Sequence, residues 1–151
     1  MSTCAIGELR DLFFNQGMRA YADSSTHLDH ALHCASLAER EGSPAWLVTA
    51  ALTHDIGYLI SPRDSPSEDH VDDDSHESIG SHWLRARFDP RVADVVAAHV
   101  DATRYLCSTE PGYMRALSLN CRRSLTLRGG PMCSAEIHQF EAVSVFKEAL
   151  R

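Results

Sequence analysis

Four histidines, His30, His54, His76 and His99, fall 24, 22 and 23 positions apart in a chain whose apolar residues recur at helical spacing almost throughout. One helix and its connection occupy about that length of chain, so each histidine belongs to a different helix and stands at a similar level of a bundle. The punctuation agrees. Ser24, Ser25 and Thr26 supply capping side chains before a helix over 27–41, with an inner stripe of Leu28, Ala31, Leu32, Ala35 and Ala38. Ser43-Pro44 opens a mostly apolar central helix to about Ile56, and Asp89-Pro90 opens another to about Val100. Helices are also expected over 7–22, 76–88, 113–117 and from Ala135 to the end, with a Pro-containing acidic loop over 61–74. No segment reads convincingly as a strand. The expected fold is all-α, one domain over 1–151 built as a compact bundle of about six helices.

The chemistry concentrates at His54-Asp55-Ile56-Gly57. Neighbouring side chains on a regular helix point about 100° apart, so His54 and Asp55 converge only if the helix loosens there. Gly57 is the residue that permits it. A carboxylate has two oxygens and can bridge two cations, whereas a neutral imidazole offers one nitrogen to one. Asp55 therefore suits the middle of a two-metal site, with His30, His54, His76 and His99 around it and the metals about 3.5–4 Å apart. Asp55 is also the candidate catalytic residue. A single buried histidine is more often a hydrogen-bonded core residue than a ligand, and His33, His70, His82 and His138 read as core or surface residues.

Composition narrows the setting. No apolar run approaches the roughly 20 residues of a membrane span, and the first residues lack a signal-peptide pattern, so a cytoplasmic protein is expected. The five cysteines are scattered without a C-x-x-C pair, as expected of reduced, mostly buried thiols. A net charge of −7 disfavours nucleic acid and anionic membranes as partners.

The histidines and His-Asp pair form the pattern of the HD-domain superfamily. Several segments resemble one branch more closely. Leu28-Asp29-His30-Ala31-Leu32 resembles its L-E-H-A-L segment, and His76-Glu77-Ser78-Ile79-Gly80 with Trp83-Leu84 resembles its H-E-x-I-G…W/Y-L helix. His99-Val100, Ala102 and Arg104-Tyr105-Leu106 resemble H-V-x-A-K-R-Y-L. Ser124-Leu125 and Gly129-Gly130-Pro131-Met132 with Ser134 resemble S-L-x-x-Q-G-G-P-M-S, and Phe140-Glu141-Ala142 continues the match. The branch is the phosphonate-degradation HD-domain oxygenases (the PhnZ type), similar to inositol oxygenase in using a mixed-valence iron pair.

The resemblance implies an enzyme that uses dioxygen to cleave the carbon–phosphorus bond of a small hydroxyphosphonate. It implies that His30, His54 and Asp55 bind one iron and that Asp55, His76 and His99 bind the other, as an Fe(II)/Fe(III) pair. The donor types also suit manganese, cobalt or zinc. The substrate-facing positions depart from the family pattern. Tyr58 replaces a histidine, Thr103 a lysine, Arg128 and His27 glutamines, and Tyr21 and Asp23 stand for a tyrosine-glutamate pair. With Ser124, the candidate substrate residues are Asp23, His27, Tyr58, Thr103, Ser124 and Arg128, and Arg128 is a candidate bidentate partner for phosphonate oxygens. The family pattern also has a final aspartate ligand beyond the point where this sequence stops, Arg151. The expectation is that the His30/His54 metal is held less firmly than the His76/His99 metal and that oxygenase activity is weak or absent. Two other functions fit the motif. One is a metal-dependent phosphohydrolase acting on a phosphate ester or nucleotide. The other is a degenerate, non-catalytic HD-domain protein.

Overall fold

The computed structural model describes residues 3–22, 24–61 and 75–151, so the expected loop over 61–74, His70 and Asp23 lie almost wholly outside it. Helix α1 spans Thr3–Gln16, and a short hairpin follows, β1 (Ala20–Ala22) and β2 (Ser25–Thr26). Helix α2 spans His27–Arg40, α3 Ala45–Thr53, α4 Gly57–Ile60 and α5 His76–Arg85. Helix α6, Pro90–Thr109, is followed by α7 (Tyr113–Ala116), α8 (Leu119–Leu127), α9 (Ser134–Glu141) and α10 (Phe146–Ala149). The all-α class stands. The described residues hold ten helices rather than about six: a separate short α4 follows the central helix, the last helix divides into α9 and α10, and α8 was not expected.

Each difference has a local cause. The first helix stops at Gln16 rather than running to Ala22. There the chain turns into the antiparallel hairpin, pairing Ala20 with Thr26 and Ala22 with Ser25 around Ser24 at φ 74°. Strands this short carry no period of their own and form because α2 fixes one arm. The helix opened by Asp89-Pro90 runs nine residues past Val100, since Ala102 stays buried and the apolar face continues. The last helix breaks after Glu141 and restarts at Phe146. Leu32, expected inside, is 53% exposed, whereas Ala31 beside it is buried.

Capping decides where α2 and α6 begin. The Thr26 hydroxyl accepts from Asp29 N, and the Asp29 carboxylate accepts from Thr26 N, a reciprocal box that starts α2 at His27, three residues before His30. Asp89 accepts from Arg91 N ahead of Pro90, where a missing N–H costs nothing. Helix α6 is the spine. It packs against α3, α5 and α7 to α10, and Val92, Ala93 and Val96 on its inner face are essentially fully buried. Each such valine contributes about 1.5–3 kcal/mol by leaving water. Its partners Ile56 and Leu84 lie beside the His54-Asp55 turn and on α5, so the core and the histidine cluster share one wall. Among the described residues, no helix is long and apolar enough to cross a membrane.

Candidate metal centre

The His54-Asp55 motif sits in a break between two helices. Regular α3 ends at Thr53, whose hydroxyl donates to the Thr49 carbonyl at 2.7 Å. Ile56 N then donates to Thr53 O at 3.0 Å and Tyr58 N to Asp55 O at 3.1 Å, three-residue turns that tighten the chain before α4. The helix does loosen at the motif, but Gly57 acts differently from the sequence expectation. Its neighbours His54 and Ile56 keep right-handed helical torsions. What Gly57 provides is space: a Cβ there would lie 2.0 Å from the His76 carbonyl oxygen. Gly80 on α5 makes the matching approach, with Ile56 Cγ2 3.2 Å and Gly57 N 3.3 Å from its own missing Cβ. These two glycines let α4 and the start of α5 touch at backbone distance, which brings His76 onto Asp55.

The four histidines and the aspartate converge. Asp55 Oδ2 lies 3.5 Å from His30 Nε2 and 3.3 Å from His54 Nε2. Asp55 Oδ1 lies 3.3 Å from His76 Nε2 and 3.5 Å from His99 Nε2. Within each pair the Nε2 atoms are 3.0 Å apart. One carboxylate thus presents one oxygen to each of two histidine pairs. Neighbouring donors around a cation with about 2.1 Å bonds stand roughly 3.0–3.4 Å apart, so the donor set fits a metal in each half.

The ring orientations serve the same end. His54 Nδ1 donates to Ala51 O at 2.8 Å and His99 Nδ1 to Val96 O at 2.7 Å. A carbonyl only accepts, so Nδ1 carries the hydrogen and Nε2 can present its lone pair to Asp55's side. Burial works against a charge on Asp55, but the imidazoles of His54, His76 and His99 outweigh it and hold its carboxyl well below the usual carboxylate range. Burial and the neighbouring His54 charge push His30 down to about 4, leaving it a neutral donor near pH 7. Burial also pulls on His54, yet Asp55 more than offsets it and the value rises.

An aromatic wall flanks both halves. Tyr21 stacks on His30 at 4.1 Å, and Tyr58 stacks on His76 at 4.2 Å. His27 stands between the two tyrosines, its ring 5.1 Å from Tyr21 and 5.6 Å from Tyr58. Of the candidate substrate residues, His27 and Tyr58 therefore face the cluster. Thr103 lies one turn past His99 on α6, its hydroxyl donating to His99 O at 3.2 Å. Ser124 lies on α8, and its carbonyl accepts from Arg128 N at 3.1 Å. Arg128 is neither a surface residue nor an open anion partner. One of its guanidinium nitrogens lies 2.5 and 2.6 Å from the two Glu77 oxygens, and Glu77 Oε2 is 3.6 Å from His76 Nδ1. Asp23 is outside the described residues. A cavity of about 410 Å³ between the ends of α6, α7 and α8 includes none of the five donors.

Sequence reasoning missed two neighbours of the cluster. Tyr21 was placed only as half of a family pair, and nothing in its sequence context signals a stack on His30. Cys34 was read as a packing thiol, yet its Sγ is 3.7 Å from His30 Nε2. The signal was available in the spacing, since residues four apart share a helix face. His33, His82 and His138 are exposed, in line with the surface reading.

Comparison with known proteins agrees with this geometry. The HD domain family model matches residues 26–124, which contain all five donors. Hydroxymethylphosphonate dioxygenase of Gimesia maris is 38% identical over 137 residues, 90% of this chain and 68% of that protein. The glycine-betaine-forming 1-hydroxy-2-(trimethylamino)ethylphosphonate dioxygenase of Leisingera caerulea is 38% identical over 131 residues, covering 86% of this chain and 67% of that protein. With a family model spanning the five candidate donors and two such relatives along most of its length, the chain belongs to the HD-domain family, in the branch that contains the phosphonate dioxygenases.

Proposed function

We propose that this chain is a two-metal oxygenase that cleaves the carbon–phosphorus bond of a small hydroxyphosphonate, with dioxygen as co-substrate. The observation that carries the reading is the division of Asp55 between two histidine pairs, one oxygen to each. His30, His54 and Asp55 would hold one metal, and Asp55, His76 and His99 the other. Imidazole and carboxylate donors suit an Fe(II)/Fe(III) pair, which when bound supplies the redox chemistry that dioxygen requires. The names of the two relatives favour this redox reading over a phosphohydrolase with the same donors.

The chain's own residues have definable tasks. Asp55 fixes the spacing of the two halves, because its oxygens belong to one rigid carboxylate. The Ala51 and Val96 carbonyls hold the His54 and His99 rings in the tautomer that leaves Nε2 free. Tyr21 and Tyr58 press on the faces of His30 and His76 and restrict their rotation. Tyr21, His27 and Tyr58 then bound the space beside the cluster and limit how large a substrate can enter. Thr103, Ser124 and Arg128 sit farther along α6 and α8, and we assign them to shaping that end of the site. Glu77 already answers the Arg128 charge, so the phosphonate's negative charge falls chiefly to the metals.

The test is turnover of hydroxymethylphosphonate by protein loaded anaerobically with iron, followed as phosphate release with and without dioxygen. Phosphate release that depends on both iron and oxygen, however slow, is the expected result. Oxygen-independent hydrolysis of phosphate esters by the zinc or manganese form, with no reaction on the phosphonate, would replace this reading with the phosphohydrolase.

A further inference from the structure

The two halves of the cluster are not equivalent. Among the described residues, the donors grouped with His76 and His99 are those two imidazoles and Asp55. Around His30 and His54 a thiol joins them. Cys34 lies one helical turn after His30 on α2, and its half-buried Sγ is 3.7 Å from His30 Nε2 and 4.0 Å from Nδ1. The donor atoms of His30, Cys34 and His54 all lie within 4.8 Å of one another. Asp55 Oδ2 faces the same two imidazoles at 3.5 and 3.3 Å. With bonds of about 2.1 Å to nitrogen or oxygen and about 2.3 Å to sulfur, adjacent donors stand roughly 3.0–3.6 Å apart, so Cys34 Sγ, 3.7 Å from His30 Nε2, lies close to that spacing from the first of its partners. Capping-box anchoring of α2 at Thr26 and Asp29 fixes His30 and, through the regular helix, Cys34.

We propose that Cys34 is a thiolate ligand of the metal bound by His30, His54 and Asp55, so that this half offers two nitrogens, one oxygen and one sulfur. The inference rests on the two-metal reading above. On ligation the thiol proton leaves to water and a sulfur lone pair bonds the cation, with no change in sulfur oxidation state. A soft donor in one half only makes the halves select differently. The thiolate half favours zinc, cobalt and iron over manganese and magnesium relative to the His76/His99 half.

Cobalt(II) is the probe, because sulfur bound to it gives an intense near-ultraviolet charge-transfer band that imidazole and carboxylate donors do not. Anaerobic, metal-stripped protein is titrated with cobalt(II), with stoichiometry from equilibrium dialysis. The expected result is two cobalt ions per chain and a charge-transfer band. Cys34→Ser and His30→Ala abolish the band and His99→Ala retains it. Cys34→Ser weakens one of the two sites by at least the roughly tenfold that even an outer-shell change costs. In the unsubstituted protein, cobalt protects Cys34 from iodoacetamide, read by peptide mass mapping. Two bound cobalt ions with no such band, a band that survives Cys34→Ser, or alkylation of Cys34 unaffected by cobalt would overturn the proposal while leaving the two-metal reading intact. Failure to bind cobalt, or binding indifferent to Asp55→Ala, would overturn both.

Discussion

Gly57 and His76 meet so closely that a single methyl group on Gly57 would lie 2.0 Å from the His76 carbonyl oxygen. The obstacle is backbone, at the first residue of α5, so it cannot rotate away. Gly57→Ala is expected to push α4 and α5 apart. The cost is at least the 1–3 kcal/mol typical of overpacking, roughly. His76 would be carried off Asp55, so one metal should be lost selectively. Thermal unfolding of the metal-free variant and its metal stoichiometry check both parts. A variant that melts and loads like its parent would show that the two backbones do not approach as described.

Asp55 should behave unlike any single histidine. It lies 3.3–3.5 Å from all four Nε2 atoms, Oδ2 facing His30 and His54 and Oδ1 facing His76 and His99. Asp55→Ala is therefore expected to reduce metal content from two per chain toward none, and His99→Ala toward one. Metal-dependent stabilisation should fall in the same proportion, because a bound ion stabilises only the fold that holds it. Elemental analysis after anaerobic loading decides. Full metal content in Asp55→Ala would remove the bridging role.

How much of this was legible follows from what each feature requires. Coordination demands particular atoms, so His30, His54, Asp55, His76 and His99 stand out in the sequence through residue type and spacing, and the structure places them together. Helix starts at Thr26 and Asp89 were legible because a cap is a local bond. The importance of Gly57 was legible but its reason was not, since a close approach to His76 involves a residue 19 positions away. The Glu77–Arg128 pair spans 51 positions and leaves no local trace. Leu119–Leu127 lacks a clear apolar stripe, so α8 became visible only once packed against α6.

Tyr58 tests the aromatic wall. Its ring lies 4.2 Å from His76 at an interplanar angle of 15°, and neither value depends on the hydroxyl. Tyr58→Phe is expected to keep metal content and stability near the parent's. Tyr58→Leu should lose about 0.5–1.5 kcal/mol from the missing stack and loosen the metal at His76. A hydroxyl that positions substrate would add a rise in KM for Tyr58→Phe with kcat little changed. Equal behaviour of the phenylalanine and leucine variants would show that the stack does not matter.

The Glu77–Arg128 pair is mostly buried, with side chains 13% and 22% exposed. Removing either partner leaves the other's charge poorly solvated. Glu77→Gln and Arg128→Met are each expected to cost roughly 1–3 kcal/mol, and the double variant less than their sum. Urea unfolding of all four proteins supplies the cycle. Strict additivity would mean the pair contributes no coupling.

Glu136 contributes to the acid limb of stability. Its carboxylate accepts from Cys133 N at 2.9 Å and pairs with Arg104 at 2.6 Å, joining the start of α9 to α6. The backbone hydrogen bond from Cys133, then the bond from Arg104, lower its pKa from 4.5 to about 2. The folded value is thus below the unfolded one. Protons bind preferentially to the unfolded chain over that interval, so the contribution is complete above about pH 4.5 and disappears as pH falls toward 2. Glu136→Gln cannot titrate. Its stability should be lower than the parent's at pH 7 and should decline less steeply between pH 4.5 and 2, so that the two unfolding curves converge in acid. Metal-stripped protein is the right sample, since proton competition at the histidines would otherwise dominate the same range. Parallel acid limbs for the two proteins would mean that Glu136 has the same proton affinity folded and unfolded, and that Arg104 and the α9 cap do not hold it.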